Sequence, residues 1–229
     1  EQARPDDPEG YWRELRARYF GNVTVLDRAI GPIFGALAQT GQANNTIVVF
    51  TSDHGDSLGD RGMINKRSFY EEVARVPLII HVPWLSSEER RVDGNIGHVD
   101  LVPTLLDLIG EEVPEYIQGS SRKDVLEGKA ELSDAVFMQW HGGAATVPLG
   151  NAEIERLSEI PWRCMVSSER WKLNLSPGDM CELYDLNHDP LELTNLYDHP
   201  AHTERVRAMT NRIKEWQKQT GDELELPVK

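Results

Sequence analysis

The chain has 229 residues, enough to bury a sizeable core in one domain or two, and its formal net charge is −14 from 38 acidic and 24 basic residues. This charge disfavours a nucleic-acid partner, because phosphate binding needs clustered basic side chains and those here are scattered. No apolar run approaches the length of a membrane span. Two cysteines, Cys164 and Cys181, are too few for a disulfide framework, so we expect buried thiols, with a cross-strand bridge as the alternative.

The first predicted elements are a long helix and a strand. Apolar residues recur three or four positions apart from Tyr11 to Thr40, which predicts a helix with a kink where Gly31-Pro32 interrupts the pattern. The run from Thr46 to Phe50 is β-branched and aromatic without polar alternation, which is typical of a strand covered on both faces. This order predicts a parallel or mixed sheet.

A carboxylate and an imidazole stand side by side just past this predicted strand, in Ser52-Asp-His-Gly55. The carboxyl ends of strands in open α/β sheets are where ligands bind. Asp53 and a neutral His54 are both potential metal ligands, and Gly55 permits a tight turn or a close backbone approach. On these four residues alone, the alternative is a turn capped by Asp53 beside a surface His54.

The middle of the chain predicts a loop, two short elements and a helix. Residues 57–67 are rich in Gly and Asp and indicate a loop over the same edge. Residues 68–74 predict a short helix with Ser68 as N-cap, and residues 77–82 a second buried strand. Asp100 can cap the following helix, which Gly110 stops. Its apolar residues are expected to pack on the sheet: Leu101, Leu105, Leu106 and Ile109.

From residue 111 onward the pattern changes to short runs separated by turns. A short helix is predicted near residues 122–126, and an amphipathic helix closes the chain from about residue 201 to 220. Between them we predict a small antiparallel sheet from four runs: 135–140, 162–166, 171–175 and 182–185. The last helix is expected to turn four side chains inward: Val206, Met209, Ile213 and Trp216.

Three blocks of the sequence follow one another in an order that a known family shares. The first is Thr51-Ser-Asp-His-Gly-Asp-Ser-Leu-Gly-Asp-Arg-Gly62 with Lys66 and Phe69-Tyr-Glu-Glu-Val-Ala-Arg-Val-Pro77. The second is Gly97-His-Val-Asp-Leu-Val-Pro-Thr-Leu-Leu-Asp-Leu-Ile-Gly110. The third joins Trp171-Lys-Leu-Asn174 to Glu182-Leu-Tyr-Asp-Leu-Asn-His-Asp-Pro-Leu-Glu-Leu-Thr-Asn-Leu196. Together they closely resemble the sulfatase family, a branch of the alkaline-phosphatase superfamily.

The resemblance implies an α/β fold: part of an alkaline-phosphatase-like mixed sheet with flanking helices, followed by a small antiparallel α+β subdomain. Residues 1–125 would be the C-terminal part of the catalytic domain and residues 126–229 the C-terminal subdomain. The family's nucleophile, a formylglycine made from the first residue of a Cys-or-Ser-x-Pro-x-Arg motif, has no counterpart in this sequence. We expect a region N-terminal to the chain to supply it, together with paired Asp metal ligands, and we expect the chain alone to be inactive.

The resemblance also assigns site residues. Asp53 and His54 fall on positions that ligate a divalent cation, for which we predict calcium; because many members carry Asn where His54 stands, manganese and zinc are alternatives. Lys66 matches a lysine that contacts the sulfate oxygens and the leaving group, so we predict a catalytic and substrate-binding role. His141, in an aromatic-His-Gly-Gly turn, is predicted to bind substrate, with an ordinary loop histidine as the alternative. For Asp100 we favour helix capping and core hydrogen bonding.

The function implied is hydrolysis of a small-molecule or saccharide sulfate ester by the intact enzyme. One alternative is a phosphonate monoester or phosphodiester hydrolase of the same superfamily. Another is a non-catalytic fragment that acts in assembly, which the absent nucleophile would suit. The sequence favours neither a cytoplasmic nor a periplasmic or secreted location, and it indicates no particular oligomeric state.

Overall fold

The computed structural model describes residues 7–66, 68–86, 88–143, 156, 159–227 and 229. The chain divides into two compact units, Glu1–Arg90 and Arg91–Lys229. The boundary between residues 125 and 126 that the family resemblance implies stays a prediction. None of the helices in the described ranges combines the length and the apolar character that a membrane crossing needs.

Helix α1, Pro8–Gln39, dominates the first unit. Asp7 is its N-cap and accepts a hydrogen bond from the Gly10 backbone N–H at 2.9 Å. The predicted helix is confirmed; it continues through Pro32, and the kink stays a prediction. The helix has no buried residue, and several large apolar side chains lie exposed along it: Tyr19, Phe20, Val23, Val25, Leu26, Ile33 and Phe34.

The first unit contains a two-stranded antiparallel sheet. Strand β1, Val48–Thr51, pairs with β2, Leu78–His81, so that Thr51 lies opposite Leu78. Both strands were predicted, but the prediction that both of their faces are covered is wrong. Phe50 is 39% exposed and Ile79 is 63% exposed. The reason is that this sheet has only two strands within the described residues, and no further layer packs on these side chains there.

Helix α2, Glu71–Ala74, precedes β2 in the same unit. Its N-cap is Tyr70, so the prediction that Ser68 caps this helix is wrong. A capping-box spacing alone did not fix the start of the helix, because the backbone enters it two residues later than Ser68. The short helix itself is confirmed.

The second unit is built on a four-stranded antiparallel sheet in the order β3-β4-β5-β6. The strands are Val136–Trp140, Trp162–Val166, Trp171–Leu175 and Glu182–Asp185. Three helices belong to the unit: α3, Leu101–Ile109; α4, Lys123–Leu126; and α5, Thr203–Thr220. The predicted antiparallel sheet and all three helices are confirmed.

The core of the second unit lies between α5 and the sheet. It consists of buried apolar side chains from both: Met165, Leu173, Leu175, Leu183, Val206, Met209 and Ile213. Trp216 completes the inward face of α5 and stacks on Phe137, with ring centroids 5.2 Å apart. Cys164 and Cys181 are buried free thiols, as predicted.

The family's C-terminal block has a structural role in this unit. Lys172 on β5 and Glu192 form a fully buried ion pair with the Nζ and Oε1 atoms 2.8 Å apart. The Asn195 amide group accepts from the Leu183 backbone N–H and donates to the Cys181 carbonyl, each at 3.0 Å. These contacts fasten the segment after β6 to the sheet.

Asp100 stands at the N-cap position of α3, but its side chain makes no capping hydrogen bond. Its buried carboxylate accepts from the Ser120 backbone N–H and from Arg122 Nε, each at 2.9 Å. Core hydrogen bonding by Asp100 is therefore confirmed. The predicted inward face of α3 is partly wrong, since Leu108 is buried and Ile109 is 58% exposed.

Candidate active site

Asp53 and His54 follow directly after β1 and share two contacts. The His54 backbone N–H donates to Asp53 Oδ1 at 2.9 Å, and Asp53 Oδ2 lies 3.3 Å from His54 Nε2. The backbone N–H of His54 is the main cause that lowers the pKa of Asp53. The Lys66 ammonium acts in the same direction, so Asp53 is a carboxylate at neutral pH.

The hydrogen bonds of the His54 ring define which nitrogen is available. His54 Nδ1 lies 2.6 Å from the Gly55 carbonyl oxygen, which can only accept, so Nδ1 carries the hydrogen. In the neutral ring Nε2 therefore keeps its lone pair. The Lys66 ammonium lies 2.5 Å from Nε2 and donates to it. The structure thus brings together Asp53, His54 and Lys66, the three residues that the sequence singled out in this part of the chain.

The geometry of the two donors suits neighbouring ligands of one cation. Two ligands at right angles, each about 2.3 Å from a metal, would lie about 3.3 Å apart, and Asp53 Oδ2 and His54 Nε2 have this separation. Lys66 now supplies the positive charge at Nε2, so a metal ion would displace its ammonium from that nitrogen. Among the residues that the structure describes, no group of three or more His, Cys, Asp and Glu side chains gathers to hold a metal ion. The chain fits part of a divalent-metal site.

Gly55 and α2 form the floor behind these side chains. The Gly55 backbone N–H donates to the Val73 carbonyl at 2.8 Å, and a Cβ at Gly55 would lie 1.9 Å from the Glu72 carbonyl oxygen. Gly55 therefore closely approaches the backbone of α2. Arg61, which sequence reasoning missed, pairs with Glu72 and lies 3.7 Å above the Tyr70 ring. In the sequence, the only signal for this contact is that Arg61 precedes by eleven residues a Glu that lies close to an aromatic residue.

His141 lies in the second unit, just after β3, and is exposed. It lines a cavity of about 460 Å³ whose wall is mostly polar: Gln118, Gln139, Trp216, Thr220, Gly221, Asp222 and Glu223. Asp222 is already committed to Arg163, which binds it through two hydrogen bonds of 2.6 and 2.7 Å. The role of His141 in binding substrate stays a prediction.

Comparison with known proteins gives the family of the chain. The family model for the C-terminal region of N-sulphoglucosamine sulphohydrolase matches residues 59–219, and the sulfatase model matches residues 1–111. The chain is 34% identical to a choline-sulfatase of Rhizobium meliloti over 82% of its own length and 34% of that relative. The chain belongs to the sulfatase family.

Solved structures agree with this assignment and give the fold. One, bound to its substrate D-glucosamine-2-N,6-O-disulfate, matches 88% of the chain with 31% identity and a TM-score of 0.77, over 40% of its own length. A phosphonate monoester hydrolase from Silicibacter pomeroyi matches 97% of the chain with 27% identity and a TM-score of 0.82, over 45% of its length. The alkaline-phosphatase-like α/β fold is therefore confirmed. The chain spans less than half the length of each of these relatives.

Proposed function

We propose that the protein hydrolyses sulfate esters and that this chain contributes Asp53, His54 and Lys66 to its active site. The observation that carries the proposal is the meeting of these side chains, with Nε2 of His54 3.3 Å from the Asp53 carboxylate and 2.5 Å from the Lys66 ammonium. Two potential metal ligands and an ammonium group therefore lie side by side in a member of the sulfatase family. A bound metal ion and the ammonium would each neutralise negative charge on a substrate. Both kinds of positive charge can neutralise the oxygens of a sulfate ester and so ease the approach of a nucleophile.

Each side chain has a distinct role in this proposal. Asp53 and His54 would hold a divalent cation, whose positive charge neutralises the ester oxygens. The Nδ1–H of His54 donates to the Gly55 carbonyl and so keeps Nε2 directed at the site. Lys66 would donate to the ester and protonate the departing alcohol. We propose calcium as the metal, with manganese or zinc as alternatives because His54 is a nitrogen donor.

The nucleophile is proposed to be a formylglycine supplied from outside these 229 residues, together with further metal ligands. The supporting fact is that the sequence contains no Cys-or-Ser-x-Pro-x-Arg motif. Two ligands alone bind a divalent ion weakly, because calcium takes six to eight oxygen ligands. The chain by itself is accordingly proposed to be inactive.

For the organic part of the substrate we propose a sulfated saccharide or another small sulfate ester. A sulfated glucosamine is the substrate of one structural relative, which supports a saccharide. A phosphonate monoester hydrolase is the second candidate, since a solved enzyme of that kind resembles the chain as closely in fold.

The deciding experiment compares initial rates of the intact protein that carries this chain on matched sulfate, phosphate and phosphonate esters of one alcohol. We expect the largest kcat/KM for the sulfate ester, and a loss of about 10²-fold or more in Lys66→Met. A larger kcat/KM for the phosphonate ester would replace the first candidate with the second. An intact protein without activity on all three esters would contradict both.

Metal binding gives a separate test on the chain itself. Calorimetric titration with calcium, manganese and zinc should detect weak binding that Asp53→Ala abolishes. Tight binding that the same substitution abolishes would mean that the chain holds a more complete site than we propose.

A further inference from the structure

Lys66 reaches His54 at the end of a loop with an unusual backbone. Leu58, Arg61 and Asn65 adopt left-handed conformations with φ of 46°, 53° and 70°. Such a conformation costs about 1 to 3 kcal/mol for a residue with a side chain unless its surroundings hold it. The loop that presents Lys66 therefore depends on contacts that compensate this cost.

Asp56 provides contacts of this kind at both ends of the loop. Its Oδ1 atom accepts from the Leu58 backbone N–H at 2.9 Å and from the Asn65 backbone N–H at 3.2 Å. Those donors belong to the first and the last left-handed residues. A single carboxylate oxygen therefore ties the loop's start to the residue directly before Lys66.

Ser57 holds the other side of Asn65. Its backbone N–H and its hydroxyl both donate to the Asn65 carbonyl oxygen, at 3.0 and 3.1 Å, and Ser57 is only 1% exposed. This carbonyl belongs to the same peptide group as the Lys66 nitrogen. With Asp56 on the N–H and Ser57 on the carbonyl, the peptide groups on both sides of the Asn65 Cα are fixed, and so is the direction in which the chain enters Lys66.

We propose that Asp56 is a positioning residue, which fixes the left-handed backbone at Asn65 and thereby places the Lys66 ammonium next to His54. In the metal-free chain the ammonium contacts Nε2, and a metal ion on Nε2 would leave it beside the metal. The proposal rests on the proposed function for its importance in catalysis, since Lys66 is the group that would meet the ester. Asp56 itself acts through the loop backbone. This role requires a hydrogen-bond acceptor on residue 56 and not its negative charge, because both donors are uncharged peptide N–H groups.

The test reads the His54 ring directly, without substrate or metal. Long-range ¹H–¹⁵N NMR spectra of the full chain report the tautomer of His54 and whether Nε2 accepts a hydrogen bond. Lys66→Met gives the reference spectrum of a His54 without the ammonium. We expect Asp56→Ala to give that reference spectrum, and Asp56→Asn, which keeps an acceptor oxygen in place, to give the wild-type spectrum.

Asp60→Ala is the matched control, because Asp60 lies in the same loop but pairs with Arg16, at 2.7 Å. It should leave the His54 spectrum unchanged. If Asp56→Ala fails to fold, Asp56→Ser serves instead, since its shorter side chain can satisfy Leu58 without reaching Asn65; it should also give the reference spectrum. A wild-type His54 spectrum in the folded Asp56→Ala or Asp56→Ser chain would overturn the proposal. So would a reference spectrum in Asp56→Asn or Asp60→Ala.

Kinetics of the intact protein separate this proposal from the proposed function. We expect Asp56→Ala to lower kcat by about 10²-fold, the cost of misplacing a reacting group by about 1 Å, and Asp56→Asn to restore most of it. A wild-type protein without sulfatase activity, whose His54 spectra still follow the expected pattern, would overturn the proposed function alone. Sulfate ester hydrolysis that is unaffected in Asp56→Ala would overturn the positioning role alone.

Discussion

The buried ion pair between Lys172 and Glu192 makes the sharpest stability prediction. Both side chains are 0% exposed, and Nζ lies 2.8 Å from Oε1. Removing one member leaves the other charge buried opposite an apolar group, which costs about 3 to 5 kcal/mol. We therefore expect Lys172→Met and Glu192→Leu each to lower the free energy of unfolding of the second unit by about that amount.

Removing both charges together should cost far less. A buried pair replaced by apolar side chains of similar volume is often neutral or stabilising, so we expect Lys172→Met/Glu192→Leu to change stability by less than about 2 kcal/mol. With two single losses of about 3 kcal/mol or more, the coupling energy in a double-mutant cycle should be about 4 kcal/mol.

Urea unfolding followed by tryptophan fluorescence measures these changes, because Trp171 and Trp216 both lie in the second unit. With a slope of about 2 kcal/mol per M, each single variant should shift the midpoint down by about 2 M. Lys218→Met is the matched control: Lys218 is 78% exposed and 3.9 Å from Glu215, so its removal should cost less than about 0.5 kcal/mol. Additive losses in the double variant, or a loss below about 1 kcal/mol in Lys172→Met, would refute the reasoning.

Two further predictions concern the acid stability of the second unit and the floor of the site. Arg163 lowers the pKa of Asp222, so Asp222 stabilises the fold above its unfolded pKa of about 4 and loses this effect as the pH falls through its lower folded pKa. Asp222→Asn should cost about 3 kcal/mol at pH 7, with the difference from wild type shrinking below pH 4 in urea titrations; a constant difference would contradict this. Gly55→Ala should destabilise the first unit by about 1 to 3 kcal/mol, because its Cβ meets the Glu72 carbonyl. Gly35→Ala on α1 is the control, because a Cβ there has no atom within 4 Å, and it should stabilise the helix by up to about 1 kcal/mol. Equal shifts in melting temperature for Gly55→Ala and Gly35→Ala would contradict the clash with the Glu72 carbonyl.

The elements that the sequence predicted well are those whose signals are local. The strands of the second unit and helix α5 follow from period and turn residues, and the inward residues Val206, Met209 and Ile213 are buried. Strand pairing is not local, so the antiparallel partner of β1 and the exposure of Phe50 could not be read from the run of residues 46–50. Its composition fits a buried strand in any sheet.

The candidate site also has a part that the sequence predicts locally and a part that it does not. The adjacency of Asp53 and His54 is in the sequence itself, but the approach of Lys66 to within 2.5 Å of Nε2 depends on the backbone between them. That backbone turns at Leu58 and Asn65; asparagine often adopts a left-handed conformation, but leucine rarely does, so the sequence gives no warning of the turn at Leu58. The resemblance to sulfatases singled out Lys66, whose catalytic role stays a prediction, whereas the contacts of Asp56 became visible only in three dimensions.

The residues that carry the family resemblance therefore fall into two sets, one in the candidate active site and one that stabilises the fold. In the first unit they bring a carboxylate, an imidazole and an ammonium into one hydrogen-bonded group, which bears on chemistry. In the C-terminal block they make the Lys172–Glu192 pair and the Asn195 contacts, which fasten a turn to the sheet. A substitution in the second set should lower stability without changing the contacts among Asp53, His54 and Lys66. Activity and stability of variants in the two sets should therefore change independently.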